Sequence, residues 1–283
     1  MAALSRIGNR IAALLLVPAC FPVFAVSAPP AHARIILVAE SSTVVPGSDA
    51  WVGLRFEMEP GWHIYWKNPG DSGEPPRIQW HLPEGFRAGV IQWPVPQRIA
   101  DHTLIDYGYE GDVLLMADLQ SPKKMLAAHS AVVKATVKYL VCREVCIPGS
   151  ADPTLTLPLG KRLQPSKWSG LFKQTKARLP RPAPRSWKMS AESGKDQFIL
   201  TLWTGSRERQ AAFFPFESNQ IENAAAQVAV PLNDGVRLRL QKSTQLLPPL
   251  ARLKGVVVLD GRRGFIIDVP LVSSTLVKRR LRP

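Results

Sequence analysis

The stretch Val132-Val133-Lys134-Ala135-Thr136-Val137-Lys138-Tyr139-Leu140-Val141-Cys142 decides the fold class. Val133, Ala135, Val137, Tyr139 and Val141 fall on one side, and Lys134, Thr136 and Lys138 on the other. That period of two, in a run rich in β-branched residues, is the pattern of a half-buried strand. Shorter runs of the same kind lie upstream. Ala50 to Glu57 sets Trp51, Gly53 and Arg55 against Val52, Leu54 and Phe56. Arg77 to Leu82, Val90 to Trp93, Val113 to Leu119 and, downstream, Thr154 to Leu159 are further candidates, divided by Pro60-Gly61 and Pro83-Glu84-Gly85. Many short strands between Gly/Pro turns predict an all-β chain, with an immunoglobulin-like β-sandwich over 34–160. The 26 prolines in 283 residues point the same way, because proline interrupts helices.

Past this region the composition changes. Residues 161–186 are basic and proline-rich. Ser166 is placed to cap a short helix carrying Trp168, Leu171, Phe172 and Leu179 on one face, ended by Pro180, Pro182 and Pro184. The segment reads as a helix and linker packed between domains, with contact at a membrane surface as the alternative. Residues 187–272 return to strand patterning and predict a second, smaller β-sandwich-like unit. Gln197 to Trp203, Ala224 to Val230 and Val236 to Gln241 are candidates, and Asp260-Gly261-Arg262-Arg263-Gly264 links Val256–Leu259 to Phe265–Val269 as a hairpin. This unit has no cysteine or histidine. Residues 273–283 form a basic tail, and no internal repeat of short fixed period is visible.

The N-terminus sets the compartment. Residues 1–33 read as a cleaved signal peptide: Arg6 and Arg10 precede an uncharged apolar run from Ile11 to Val26, and small-residue sites follow at Val26-Ser27-Ala28 and Ala31-His32-Ala33. An uncleaved anchor and a lipoprotein signal, with Cys20 after Val17-Pro18-Ala19, are the alternatives. Cleavage lowers the formal net charge of +14 by two and removes one of the three cysteines, leaving Cys142 and Cys146. Export to the periplasm turns the basic surface away from nucleic acid and toward a membrane surface or a charged protein partner.

Cys142-Arg143-Glu144-Val145-Cys146 is the one constellation that suggests chemistry. A strand running straight through it would separate the Cα atoms by about 13 Å. A disulfide needs roughly 4.4–6.8 Å, so a bonded pair requires a turn between the cysteines. Closing so short a loop stabilises the fold by only about 2 kcal/mol. That leaves a redox-active pair and a passive exported disulfide both open. Lys138 and Arg143 favour a thiolate here and Glu144 opposes one. The two thiolates with one of His63, His81, His102, His129 or Met116 would also suit Cu(I), a soft ion.

A longer set of residues carries a family likeness. Gly61-Trp62-His63-Ile64-Tyr65-Trp66-Lys67-Asn68-Pro69-Gly70-Asp71-Ser72-Gly73 is followed by Trp93-Pro94, by Tyr107-Gly108-Tyr109-Glu110-Gly111, and by Tyr139 to Pro148 around the cysteines. In that order they resemble the periplasmic N-terminal region of the DsbD and ScsB thiol:disulfide interchange proteins, strongly over about 35–160. Phe213-Phe214-Pro215-Phe216 extends the likeness weakly into the second unit. The resemblance implies a dithiol electron carrier that needs no cofactor. It would take reducing equivalents from a membrane electron conductor, here supplied in trans, and pass them to periplasmic thioredoxin-fold partners. It further implies that Cys146 attacks the partner disulfide and Cys142 resolves, that Asp106, Tyr107 and Gly108 form a shielding cap loop, and that Tyr139 walls the site. DsbD separates its cysteines by more residues than the three found here. A copper-binding or copper-tolerance module, and a non-catalytic interaction domain with a passive disulfide, are the competing functions. The aromatics Trp62, Tyr65, Trp66, Trp80 and Trp93 read as core and turn packing.

Overall fold

The computed structural model of the chain describes residues 32–101, 103–124, 129–247 and 250–273. The leader expected over residues 1–33 therefore lies almost wholly outside the described residues, as do His102 and most of the basic tail. Ala33, which the sequence reading assigns to that leader, is the first residue of a strand, 3% exposed and paired with Met58.

The first eleven strands make two facing sheets. They are β1 (Ala33–Ala39), β2 (Asp49–Met58), β3 (His63–Gly70), β4 (Arg77–His81), β5 (Arg87–Ala88) and β6 (Gln97–Asp101). Then come β7 (Leu104–Glu110), β8 (Asp112–Gln120), β9 (Ser130–Cys142), β10 (Cys146–Ala151) and β11 (Thr154–Pro158). One sheet has the order β1-β2-β8-β5; the other runs β10-β9-β3-β7-β6, with β4 and β11 also pairing with β9. The alternation along β9 sends Val133, Val137, Tyr139 and Val141 into the core against Leu54, Phe56 and Leu115 of the opposite sheet. Val90–Trp93 forms only an isolated bridge, Gln92 to Met116, in place of the expected strand.

β8 reads Val-Leu-Leu-Met-Ala-Asp-Leu without alternation because both of its faces are covered. Val113 and Leu115 face the sandwich core. Leu114 and Met116 face outward, under Phe172 of α1 (Ser169–Arg178). The predicted helix is therefore present, but it lies on the outer face of this sheet. Its N-cap position is Trp168 rather than Ser166. The Ser166 hydroxyl instead accepts from the Trp168 N–H and donates to the Ala39 carbonyl, pinning the turn that leads into the helix. Phe172 is fully buried, and Trp168, Leu171 and Leu179 are partly buried around it, so the helix turns this face onto the sheet. No helix among the described residues is long and apolar enough to cross one.

The remaining strands are β12 (Arg181–Pro182), β13 (Lys188–Ser193), β14 (Gln197–Trp203), β15 (Ala211–Pro215), β16 (Val228–Leu232), β17 (Gly235–Gln241), β18 (Arg252–Leu259) and β19 (Arg263–Ser273). They form one long sheet of order β15-β18-β19-β13-β14-β17-β16, with β12 beside β19. Its two halves meet along β19 and enclose a second core of Phe198, Leu200, Phe213, Leu238, Val257 and Ile267. The expected hairpin joins β18 to β19 through Asp260-Gly261-Arg262; Asp260 and Gly261 both take positive φ (50° and 68°), and the Arg262 N–H closes the turn on the Leu259 carbonyl.

Alternation along β15 links the two units. Phe213 points into the second core, whereas Phe214 joins the first, 5.0 Å edge-on to Tyr107 and 6.3 Å from Trp66. Val256 and Val258 of β18 accompany it.

Candidate functional site

The cysteines sit at the two ends of the hairpin loop between β9 and β10. Cys142 and Cys146 are register partners, their Cα atoms 4.2 Å apart, and a disulfide joins them. Facing residues of antiparallel strands approach to about 4.5 Å at the narrow pairs, so the strand ends themselves bring the sulfurs together. The turn required by the sequence argument is Arg143-Glu144-Val145, closed by the Arg143 N–H on the Val145 carbonyl. The pair is asymmetric: Cys142 is 2% exposed, whereas Cys146 is exposed. Arg143 lies 5.5 Å over the Trp62 ring, which fixes a guanidinium at the loop tip.

Behind the sulfurs lies a layer of polar side chains on the outer face of the β9-β3-β7 sheet. His63 of β3 pairs directly with Cys142, and Tyr65 lies two residues on along the same face. Tyr65 is fully buried. Its hydroxyl donates to Cys142 Sγ at 3.0 Å and stands 3.3 Å from Cys146 Sγ. Ser72 Oγ is 3.4 Å from the same hydroxyl. Ser72 in turn gives both its N–H and its Oγ–H to the carboxylate of Asp106, all at 3.0 Å. Asp106 is fully buried, and His63 Nε2 lies 3.7 Å from it with no hydrogen-bond partner.

Asp106, Tyr107 and Gly108 belong to strand β7, not to a loop over the pair. Alternation divides them. Asp106 faces the site through Ser72. Tyr107 faces the core, packs on Phe214 and donates to Asn223 Oδ1 at 2.7 Å. Gly108 is opposite Tyr65, and a Cβ there would come within 2.2 Å of the Ile64 carbonyl oxygen. Tyr139 points away from the sulfurs: it meets Phe56 edge-on and donates to the Ala33 carbonyl. Burial raises the ionisation of Tyr107, Tyr109 and Tyr139 above the ordinary phenol range.

The segment lying over the site is Asp71-Ser72-Gly73, between β3 and β4. Gly73 has φ +72°, and an added Cβ would sit 2.0 Å from Tyr65 Cζ, so its backbone passes flat across the phenol. Tyr65 and Ser72 were not singled out for chemistry from the sequence. The available signal was the period of two: once Ile64 and Trp66 are core residues, His63 and Tyr65 share the other face.

Of the described residues considered for copper, His63 is the register partner of Cys142. His81 bonds Thr136 on the exposed part of β4, and Met116 lies under α1 on the opposite sheet. Among the described residues no group of three or more His, Cys, Asp or Glu side chains is close enough to hold a metal ion.

Residues 33–158 match the family model described as "Thiol:disulfide interchange protein DsbD, N-terminal". No curated protein sequence matches the chain. Among solved structures, the N-terminal periplasmic domain of ScsB from Proteus mirabilis aligns with a TM-score of 0.63 at 19% identity, over 87% of this chain and 96% of that one. The periplasmic chaperone SfaE (TM-score 0.22, 8% identity, 84% and 100% of the two chains) and the YadV chaperone (0.21, 10%, 83% and 99%) are far more distant.

Proposed function

We propose that the chain, whose residues 33–158 match the DsbD N-terminal family, is a periplasmic thiol:disulfide interchange protein. In this reading it carries two electrons at a time from a membrane electron conductor to oxidised thioredoxin-fold proteins. The observation that carries the proposal is the asymmetric disulfide at the β9–β10 tip, with one sulfur exposed and one buried against a phenol.

The chemistry follows from that asymmetry. In the reduced protein, the exposed Cys146 thiolate attacks one sulfur of a partner disulfide. A mixed disulfide forms and the partner's other sulfur leaves as a thiolate, which takes up a proton. The buried Cys142 thiolate then attacks Cys146 Sγ. The Cys142–Cys146 bond forms, the mixed disulfide breaks, and the partner leaves with both sulfurs reduced. The pair has lost two electrons and the partner has gained them. Reversal of the same steps against a reduced donor recharges the pair. The Tyr65 hydroxyl, within reach of both sulfurs, donates to whichever carries negative charge. Arg143 adds a cation at the tip.

Mixing the reduced protein with an oxidised thioredoxin-fold protein tests the reading. Wild type transfers electrons, Cys146→Ala does not, and Cys142→Ala accumulates a mixed disulfide visible on a non-reducing gel. An inert wild-type pair, or transfer unaffected by loss of both cysteines, would leave the passive-disulfide reading in its place.

A further inference from the structure

The second sandwich reaches the redox site through the strap that covers it. Asn68, at the strap's entry, donates from Nδ2 to the Pro215 carbonyl at 2.8 Å, while its Oδ1 accepts from Ser218 Oγ at 3.0 Å and from the Gly70 N–H at 3.1 Å. Asp71 is held from both sides. One carboxylate oxygen accepts from the Ile105 N–H and the other from Asn223 Nδ2, each at 2.8 Å. Asn223 is 5% exposed and has its other groups occupied. Its Oδ1 takes the Tyr107 hydroxyl, and its carbonyl takes Arg98 Nη2. The next strap residue, Ser72, touches Asp106 and Tyr65, and Gly73 lies across the phenol that contacts both sulfurs.

We infer that the second unit is a positioning element for the disulfide: Asn223, acting through Asp71, and Pro215 with Ser218, acting through Asn68, hold the strap closed over Tyr65 and so set the reactivity of Cys146. None of these residues touches a sulfur. The effect passes by contact along Asn223, Asp71, Ser72 and Tyr65. A buried amide bonding both a carboxylate and a phenol has little freedom to shift, so the two units are registered to each other at this point. Lys67 strengthens the docking next to Asn68, its ammonium 3.3 Å over the Phe216 ring.

The inference rests on the proposed exchange reaction, but its test reads the cysteines directly, without a protein partner. Asn223→Asp places a second carboxylate against Asp71 while keeping the acceptor for Tyr107. Asn68→Ala removes the other anchor and adds no charge. Each variant, reduced, is alkylated with iodoacetamide across a range of pH, and each oxidised variant is reduced with dithiothreitol. Asp106, His63, Arg143 and Glu144 are the other charged or titratable groups around the pair, and both variants leave them in place. A strap released from the second unit no longer confines the phenol. The expected results are a Cys146 alkylation midpoint moved to higher pH and, because the phenol no longer stabilises the leaving thiolate, reduction by dithiothreitol slowed by about threefold to tenfold, the size of one net hydrogen bond. Near-UV circular dichroism verifies that each variant is folded. Alkylation and reduction profiles that superimpose on wild type, in either folded variant, would overturn the inference. They would leave the exchange reaction itself untouched, because that is judged on Cys142 and Cys146 alone.

Discussion

Tyr65 is the residue through which the disulfide meets the rest of the protein. A neutral hydroxyl held 3.0 Å from one sulfur and 3.3 Å from the other stabilises negative charge on either. Tyr65→Phe keeps the ring under Gly73 and deletes only the donor. Exchange with a small aromatic disulfide near neutral pH should slow by about threefold to tenfold, with the unfolding midpoint almost unchanged. A stopped-flow rate equal to wild type would remove the hydroxyl from the chemistry. The cysteines and the turn between them were legible in the sequence, because a strand followed by three residues leaves few ways to close. The phenol was not. Tyr65 lies seventy-seven residues before Cys142, and only the β3–β9 register makes them neighbours.

At the scale of elements, the alternating strand β9 and the hairpin of β18 and β19 were legible because their signals are local. Strands β3 and β7 were hidden for the opposite reason. Both faces of each are buried: one face lies in the sandwich core, and the other carries the polar layer and the strap. Alternation therefore vanishes and the runs read as loop or aromatic motif. The helix α1 follows the same rule from outside. Its sequence shows an apolar stripe, and the stripe packs on β8 through Phe172. Phe172→Ala should cost about 3 to 5 kcal/mol in a urea titration, since it opens a cavity over Leu114 and Met116. It should leave cysteine exchange unaffected, because α1 covers the sheet that does not carry the pair. A loss much below 1 kcal/mol would mean that the helix is only loosely seated.

For the molecule as a whole, the buried phenols set an alkaline limit. Tyr107 donates to Asn223 and Tyr109 to the Pro94 carbonyl, and burial raises both above the ordinary phenol value. An unfolded tyrosine ionises near pH 10, while the folded one keeps its proton to higher pH. Above that point the unfolded state binds fewer protons than the native one, so stability falls as pH rises. The contribution is fully present below about pH 10 and is lost as pH climbs toward the folded values. Urea midpoints should be flat up to about pH 9 and then drop, and the drop should be shallower in Tyr107→Phe. An equal drop in both proteins would assign it to other groups.

The sequence by itself determined the all-β class, the strand that ends in a cysteine, the turn that closes the pair and the short basic helix. Each follows from a period of two, from turn chemistry, or from an apolar stripe ended by prolines, all confined to a few neighbouring residues. Only the tertiary structure decided that Asp106 and Tyr107 lie back to back in one strand, that Tyr65 and Ser72 stand behind the sulfurs, and that Asn223 of the second unit holds the strap in place. These depend on which strands pair and in what register. A shift of one residue would turn Tyr65 into the core and Trp66 onto the disulfide, and that choice is made by packing across the whole sandwich.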